Sequence, residues 1–393
     1  MKVRPRDFPR EDSARASSAA SILARDALPA LLAALRTRGY QLVGPTLRDG
    51  AIAIDRIDGE SDLPIGWTEE QDGGRYRLRR REDVAVFGYT VGPWSWKTFL
   101  VPPETKLVTA KRDAGGAFTV DAGLAEEPKY AFIGVRSCEL RAIQVQDRVF
   151  LEGPYVDRGY RLRREAAFIV AVNCTQAAPT CFCVSMRTGP HHETGYDLVL
   201  TEIMEGQRHE FLVDAGTERG RELIDELALR PAMIADVEGA EAAIDRAVAQ
   251  NGRKVVTDGM RELLYRSYED PRWDDVAKRC MSCGNCTMVC PTCFCTTVED
   301  AADLAGKEAT RTRKWDSCHT LEFSYIHGGS LRPNARSRYR QWMTHKLATW
   351  IDQFGVAGCV GCGRCITWCP AGIDITEELA AIRRSEEARH GGH

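Results

Sequence analysis

The strongest constraint on this chain is a cysteine run that occurs twice towards its C-terminus. Each run has the spacing C-x2-C-x2-C-x3-C and is followed by a proline. Three thiolates at intervals of three residues can ligate three corners of a [4Fe–4S] cubane, and the cysteine before the proline ligates the neighbouring cluster. The pattern therefore predicts two clusters with exchanged fourth ligands. The first predicted site is Cys280, Cys283, Cys286 and Cys369, and the second is Cys359, Cys362, Cys365 and Cys290.

A structural zinc site is the main alternative for these eight cysteines. Zinc ribbons use two separated C-x2-C pairs, which together supply four ligands to one ion. Two runs of four cysteines that both end in Cys-Pro do not fit that arrangement. Glycines within the runs, such as Gly284, Gly361 and Gly363, also allow backbone amides to approach the sulfides of a cluster. The motif thus favours iron–sulfur clusters.

Composition and the pattern of apolar residues indicate the cellular compartment of the protein. The chain has 393 residues, 15 cysteines and a formal net charge of −3. No apolar run reaches the roughly 20 residues of a membrane span, and residues 1–18 lack the apolar core of a signal peptide. Because a reducing cytoplasm favours metal binding over disulfides, we expect a cytoplasmic protein with a disordered tail at residues 1–18. We expect no membrane span and no nucleic-acid partner.

Two domains follow the predicted tail. In residues 19–252, apolar runs predict strands, and helical patterns lie between and after them. The predicted strands are Tyr130–Val135, Ala167–Val172, Tyr196–Thr201 and Glu210–Val213. A strand, a helix and a second strand predict parallel neighbours joined by a crossover. From about residue 255 the strand signals end. We therefore predict an α/β (α+β) domain with a mainly parallel or mixed sheet, followed by a mostly helical ferredoxin-type double-cluster domain at residues 253–393.

Four further cysteines follow predicted strands of the first domain. Cys138 directly follows one strand and Cys174 another, so parallel neighbours would bring both thiols to the carboxyl edge of the sheet. Adjacent strands lie about 4.8 Å apart, close enough for two thiols to share a cluster. Cys181 and Cys183 come in the loop just after. These four cysteines suggest a third iron–sulfur cluster, and the alternative is buried structural thiols.

Three cysteines have no assigned role. Cys293 and Cys295 repeat the PTCFC sequence that contains Cys181 and Cys183, and Cys318 precedes a histidine. We favour packing around the clusters, where neighbouring groups tune the potential, but another metal centre or a contact between the domains stays open. The sequence has no GxGxxG after a strand, no P-loop and no convincing nucleophile–base pair. No catalytic residue is therefore assigned.

Several segments resemble one family of redox proteins. They are RWDDVAKRCMSCGNCTMVCPTCFC, WDSCHTLEFSYIHGG, SRYRQW and GCVGCGRCITWCP, with GPWSWKTFLVPPETKL, IGVRSCELRAI, VNC, TCFCVSMRTGP and GYDLVLTEI in the N-terminal half. Over roughly residues 80–380 the chain resembles the iron–sulfur beta subunit of cytoplasmic NAD(P)-linked [NiFe] hydrogenases, also called sulfhydrogenases. The related iron–sulfur subunit of anaerobic sulfite reductase is similar.

The resemblance implies a place in a chain of electron carriers. It implies a non-catalytic subunit that relays electrons between the hydrogenase small and large subunits and a flavin- and NAD(P)-binding reductase subunit. The eight ferredoxin-type cysteines carry over position by position, whereas the resemblance does not settle the role of Cys138, Cys174, Cys181 and Cys183. The equivalent subunit of an anaerobic sulfite reductase is the alternative, and an iron–sulfur redox sensor is a hypothesis of another class.

Overall fold

The computed structural model describes residues 20–121, 128–192 and 194–390, so the predicted disordered tail lies outside the described part. Within it the strands are β1 (Ser21–Ala24), β2 (Gln41–Arg48), β3 (Ala51–Arg56), β4 (Trp67–Asp72), β5 (Arg75–Arg80), β6 (Glu104–Arg112), β7 (Phe118–Asp121), β8 (Tyr130–Arg136), β9 (Phe168–Val172), β10 (Leu198–Glu205), β11 (Arg208–Ala215), β12 (Arg230–Pro231), β13 (Thr296–Ala302), β14 (Glu308–Trp315), β15 (Tyr325–Ile326) and β16 (Gly329–Ser330). The helices are α1 (Leu28–Thr37), α2 (Lys97–Leu100), α3 (Ser137–Phe150), α4 (Arg158–Ala166), α5 (Cys183–Met186), α6 (Glu218–Glu226), α7 (Ile234–Gln250), α8 (Met260–Arg266), α9 (Arg272–Arg279), α10 (Asn285–Met288), α11 (Ala335–Thr344), α12 (Trp350–Phe354), α13 (Arg364–Thr367) and α14 (Ile375–His390).

An eight-stranded mixed sheet forms the centre of the N-terminal half. Its strand order is β12-β1-β11-β10-β9-β8-β2-β3. The four strands β10, β9, β8 and β2 pair in parallel, and the flanking pairs are antiparallel. β8 and β9 are buried along their whole length, because helices cover both faces of a parallel sheet. The predicted mixed α/β architecture of this half is confirmed.

Helices cover the two faces of this sheet. On one face α1 and α6 contribute to a core that contains Leu35, Ile133 and Leu223. On the other face α3 and α4 pack around Phe132 and Tyr160. α3 begins where β8 ends, and β9 returns beside β8 in parallel, as the strand–helix–strand pattern predicts. This connection brings the chain segments that follow β8 and β9 to the same sheet edge.

The C-terminal region is less helical than the sequence pattern predicts. β13 and β14 lie within it and join β6 and β7 in a four-stranded sheet of order β13-β14-β6-β7. The expectation that strands end near residue 255 is wrong, because TTVEDAA and EATRTRKW form strands although they have few apolar residues and little burial. β14 is paired on both sides, with β13 and with β6. A strand from one predicted domain therefore pairs with a strand from the other.

The remaining helices surround the cysteine runs. Trp273 of α9, Tyr339 of α11 and Ile382 of α14 belong to a core against which cysteines of both runs pack. α11 continues through a π-helical turn, His345–Thr349, into α12. Among the described residues, no helix combines the length and apolar character that crossing a membrane requires.

The central position of β14 can be tested with Thr310→Pro. Thr310 pairs with both β13 and β6, so a proline removes a ladder hydrogen bond and leaves its partner carbonyl unpaired. We expect a destabilisation of about 2 kcal/mol, measured as a lower melting temperature, whereas Thr310→Ala retains the N–H and should change little. Equal melting temperatures for the two variants would contradict this pairing.

Candidate metal centres

The first predicted site opens to the surface. A cavity of ≈ 420 Å³ is lined by its four predicted ligands, Cys280, Cys283, Cys286 and Cys369. Cys283 is exposed, and the other three are at least partly covered. The backbone N–H groups of Ser282 and Ile373 donate to the sulfurs of Cys280 and Cys369, both at 3.4 Å. Converging thiols with N–H donors to sulfur are what a cubane site requires.

A histidine and an exposed methionine border this cavity. His319 Nε2 lies 3.4 Å from Cys286 Sγ, and burial lowers the pKa of His319 to about 4, so the imidazole is neutral near pH 7. Met281, beside the exposed Cys283, is 71% exposed. A neutral His319 therefore borders the first site, while Cys283 and Met281 face solvent.

The second predicted site is more enclosed than the first, since Cys290 and Cys359 are buried and Cys362 and Cys365 are partly covered. Burial, with smaller contributions from nearby Cys362 and Cys290, raises the pKa of Cys359 to about 12, although Lys346 acts in the opposite direction. Burial likewise raises the pKa of Cys365, and again Cys290 is among the sulfurs that contribute. Cys290 of the first run thus lies with three cysteines of the second run. The grouping agrees with the predicted exchange of fourth ligands, and ligation itself stays a prediction.

Four cysteines of the N-terminal half converge at the carboxyl edge of the main sheet. Cys138 lies in the first turn of α3 after β8, and Cys174 follows β9. Burial raises the pKa of Cys181, with further contributions from Cys183 and Cys174. Burial also raises the pKa of Cys138, with contributions from Cys362 and Cys183. The predicted third group is therefore assembled, and Cys362 of the second site is its neighbour.

Two buried arginines flank this third group. Arg136 lies against the Cys174 sulfur, yet its Nε and Nη1 have no well-formed hydrogen bond among the described residues. Arg364 forms an ion pair with Glu139 and lies against the Cys362 sulfur. Buried guanidinium groups are costly unless negative charge lies beside them. An iron–sulfur cluster held by thiolates would supply such charge.

The loop that carries Cys181 and Cys183 packs directly on the second cysteine run. The Phe182 N–H donates to the Gly361 carbonyl at 2.8 Å, and the Thr188 hydroxyl donates to the Val360 carbonyl at 2.6 Å. Gly361 has φ of 65°, and a Cβ there would lie 2.6 Å from backbone atoms of Phe182 and Cys183. Glycine is required here by both its backbone conformation and the close approach.

The three unassigned cysteines lie beside the predicted cluster sites: Cys293 contacts Cys290 of the second site, and Cys318 lies near Cys286 of the first. The Cys293 thiol hydrogen-bonds with Cys290, and the Cys318 thiol hydrogen-bonds with Cys295. In the described part of the chain, no three Cys, His, Asp or Glu side chains converge on a position for a single metal ion. Packing around the clusters stays the favoured interpretation for these three cysteines.

Several charged residues next to the sites are not revealed by the cysteine motifs. The Lys346 Nζ lies 3.1 Å from Cys290 Sγ, and the Lys97 Nζ lies 3.1 Å from the Cys293 carbonyl. A hydrogen bond from Cys293 and the nearby Lys346 lower the pKa of Cys290 well below that of an ordinary thiol, against the effect of burial. In the sequence, the two arginines could have been found by their position, since Arg136 and Arg364 lie within two residues of predicted ligands.

Comparison with known proteins decides the family. Residues 279–373 match the family described as "4Fe-4S dicluster domain". The chain is 31% identical over 291 residues to the sulfhydrogenase 2 subunit beta of Pyrococcus furiosus, which covers 72% of this chain and 83% of that protein. The chain belongs to the sulfhydrogenase beta subunit family. No solved structure gives a significant match.

Membership in the sulfhydrogenase beta subunit family gives the chain its role. It is an iron–sulfur electron-transfer subunit that carries two [4Fe–4S] clusters, as the cysteine runs predict. A bound cluster supplies one-electron redox chemistry. The chain's own residues bring thiols together, donate N–H groups to sulfur and, at the second site, bury two of the four thiols.

The close loop contact predicts a specific effect of Gly361→Ala. The added methyl group overlaps backbone atoms of Phe182 and Cys183 and strains the left-handed backbone by about 1–2 kcal/mol. We expect the variant to lose iron, measured by metal analysis and visible absorbance. Gly306→Ala is the matched control, since Gly306 has φ of 63° with no atom within 4 Å of the added Cβ. Full iron content in Gly361→Ala would refute the requirement for this contact.

Proposed function

We propose that the chain relays electrons within a multi-subunit hydrogenase, between the hydrogenase small and large subunits and a flavin- and NAD(P)-binding reductase subunit. The observation that carries this proposal is the 31% identity to a sulfhydrogenase beta subunit over 83% of that relative. The same likeness favours a hydrogenase over the equivalent subunit of an anaerobic sulfite reductase. We place the complex in the cytoplasm, where reducing conditions keep cluster-binding thiols available.

We assign the cysteines to three clusters. The sets are Cys280, Cys283, Cys286 and Cys369; Cys359, Cys362, Cys365 and Cys290; and Cys138, Cys174, Cys181 and Cys183. The first two sets follow the exchanged-ligand arrangement of double-cluster proteins. The third is supported by the convergence of four thiols between two buried arginines. We also propose a division near residue 252 between two regions that share the β14–β6 pairing.

The proposed route has the second site in the middle. Cys138, Cys181 and Cys183 lie near Cys362 of the second site. Cys286 of the first site lies near Cys290 of the second. Electrons would therefore pass between the N-terminal and first sites by way of the second site. Each step moves one electron, and the thiolates stay bound throughout.

The exposed end of this route is the best position for a partner's redox centre. Cys283 is the exposed ligand, and the neighbouring Met281 presents an apolar side chain to solvent. A redox partner that covers Met281 would bring its own centre next to the first site. We propose that one of the partner subunits docks here.

Iron content tests the three ligand sets. We expect about 12 irons per chain for three cubanes and about 8 for the two ferredoxin-type sites alone. Cys283→Ala should lose the signal of the first site and leave the N-terminal signal in low-temperature EPR. Cys181→Ala should have the reverse effect, since its thiol belongs to the third set. If Cys283→Ala retains all its iron and both ferredoxin-type signals, the ligand assignment is wrong.

Met281→Glu tests the proposed docking surface and the hydrogenase role. A carboxylate at this apolar position should weaken docking, so we expect NAD(P)H-dependent hydrogen production by the assembled complex to fall at least about tenfold, the equivalent of 1.4 kcal/mol. Iron content should stay constant. Met233→Glu is the control, because Met233 is 62% exposed and lies in the N-terminal half. Equal loss in both variants would count against this surface, and a wild-type complex without any hydrogenase activity would count against the function.

A further inference from the structure

We propose that Lys346 sets the reduction potential of the second cluster by holding its positive charge, which is not paired with a carboxylate among the described residues, against the Cys290 sulfur. The inference rests on the proposed function, because it takes Cys290 as a ligand of that cluster. It assigns to Lys346 a tuning role in the relay, since the residue acts through Cys290 and does not itself exchange electrons.

The contacts of Lys346 identify its side chain as an ammonium. Its Nζ lies 3.1 Å from Cys290 Sγ, 3.2 Å from Thr292 Oγ1 and 3.0 Å from the Gly358 carbonyl oxygen. An ammonium has three N–H donors and no acceptor, so these three contacts use its whole hydrogen-bonding capacity. The residue is 3% exposed, and water therefore screens its charge little. The π-helical turn at His345–Thr349 holds it in place, a distortion often found at functional sites.

The charge of Lys346 is balanced differently from that of Arg364, another buried cation of this region. Arg364 is paired with Glu139, so that pair contributes little net charge. Among the described residues, the hydrogen-bond partners of the Lys346 Nζ are a sulfur, a hydroxyl and a carbonyl, with no carboxylate. The negative charge that compensates Lys346 must therefore come from the cluster and its thiolates.

A second buried lysine lies near the same sulfurs. Lys97 is 6% exposed, and its Nζ lies 3.1 Å from the Cys293 carbonyl and 3.8 Å from the centre of the Trp315 ring. It is one step further from the proposed ligand than Lys346, because Cys293 contacts Cys290. Its influence on the second cluster should have the same sign and a smaller size.

The electrostatic consequence has a definite direction. Reduction adds one negative charge to the cluster, so a nearby positive charge stabilises the reduced form more than the oxidised form. The effect is large where water is excluded. The second cluster should accordingly have a higher reduction potential than it would without Lys346. At the first site Arg338 donates to Ser282 Oγ at 3.2 Å, but Cys283 is exposed there, so water screens nearby charge more strongly than at the second site.

Lys346→Met in the assembled complex tests this proposal. In an EPR-monitored redox titration, we expect the ratio of reduced to oxidised second cluster at a fixed potential to fall at least tenfold, equivalent to about 59 mV for one electron. Lys346→Arg retains the charge and should shift the potential less. Lys278→Met is the matched control, since this lysine beside the first run has a 75% exposed side chain. An unchanged potential in Lys346→Met, or an equal shift in Lys278→Met, overturns the proposal.

Two neutral variants keep the test decisive if Lys346→Met fails to assemble. Lys97→Met should lower the potential by a smaller amount, and Lys346→Gln should lower it while keeping a hydrogen-bond donor. Unchanged potentials in both would overturn the charge-based role. Failure of the underlying assignment has a different signature, because Cys290→Ala would then retain both ferredoxin-type signals in EPR regardless of Lys346.

Discussion

The cysteine sites depend on one constraint, which is that buried thiolates must lie beside buried positive charge. Thiolates are the form of cysteine that binds metal, yet burial raises the pKa of Cys359, Cys365 and Cys181. Iron and neighbouring cations must therefore stabilise these thiols in their deprotonated form. The chain supplies Lys346 at the second site and Arg136 at the N-terminal group. Each of these cations would in turn be costly to bury without the thiolates.

The architecture explains how these charges reach the same place. Parallel pairing of β8 and β9 puts Cys138 and Cys174 at one sheet edge. The loop with Cys181 and Cys183 then closes on Gly361 of the second run. The N-terminal cysteine group at the sheet edge and the second cysteine run are therefore in direct contact through this loop. This contact can exist only where the second run has no side chain, and Gly361 meets that condition.

Sequence patterns predict most of the local features and fewer of the long-range ones. The two cysteine runs are local, so their spacing alone indicates the ligand sets that the structure groups together. The buried strand Tyr130–Arg136 can also be predicted from the sequence, because its apolar run is longer than that of the exposed strands nearby. β13 and β14 were missed since polar residues occupy both of their faces, and pairing with the distant β6 holds them. Lys97 was missed because its contact with the Cys293 carbonyl joins residues far apart in the chain.

The segment between the two cysteine runs, residues 291–358, links the charge environment to the fold. It supplies His319 at the first site, Lys346 at the second and the β13–β14 hairpin that pairs with β6. Trp315 at the end of β14 lies against the Lys97 ammonium of the N-terminal half. The hairpin that joins the two halves therefore also fixes one of the cations beside the second site. Since Lys346 comes from the same segment, residues 291–358 both pair with β6 of the N-terminal half and shape the electrostatic field at the second site.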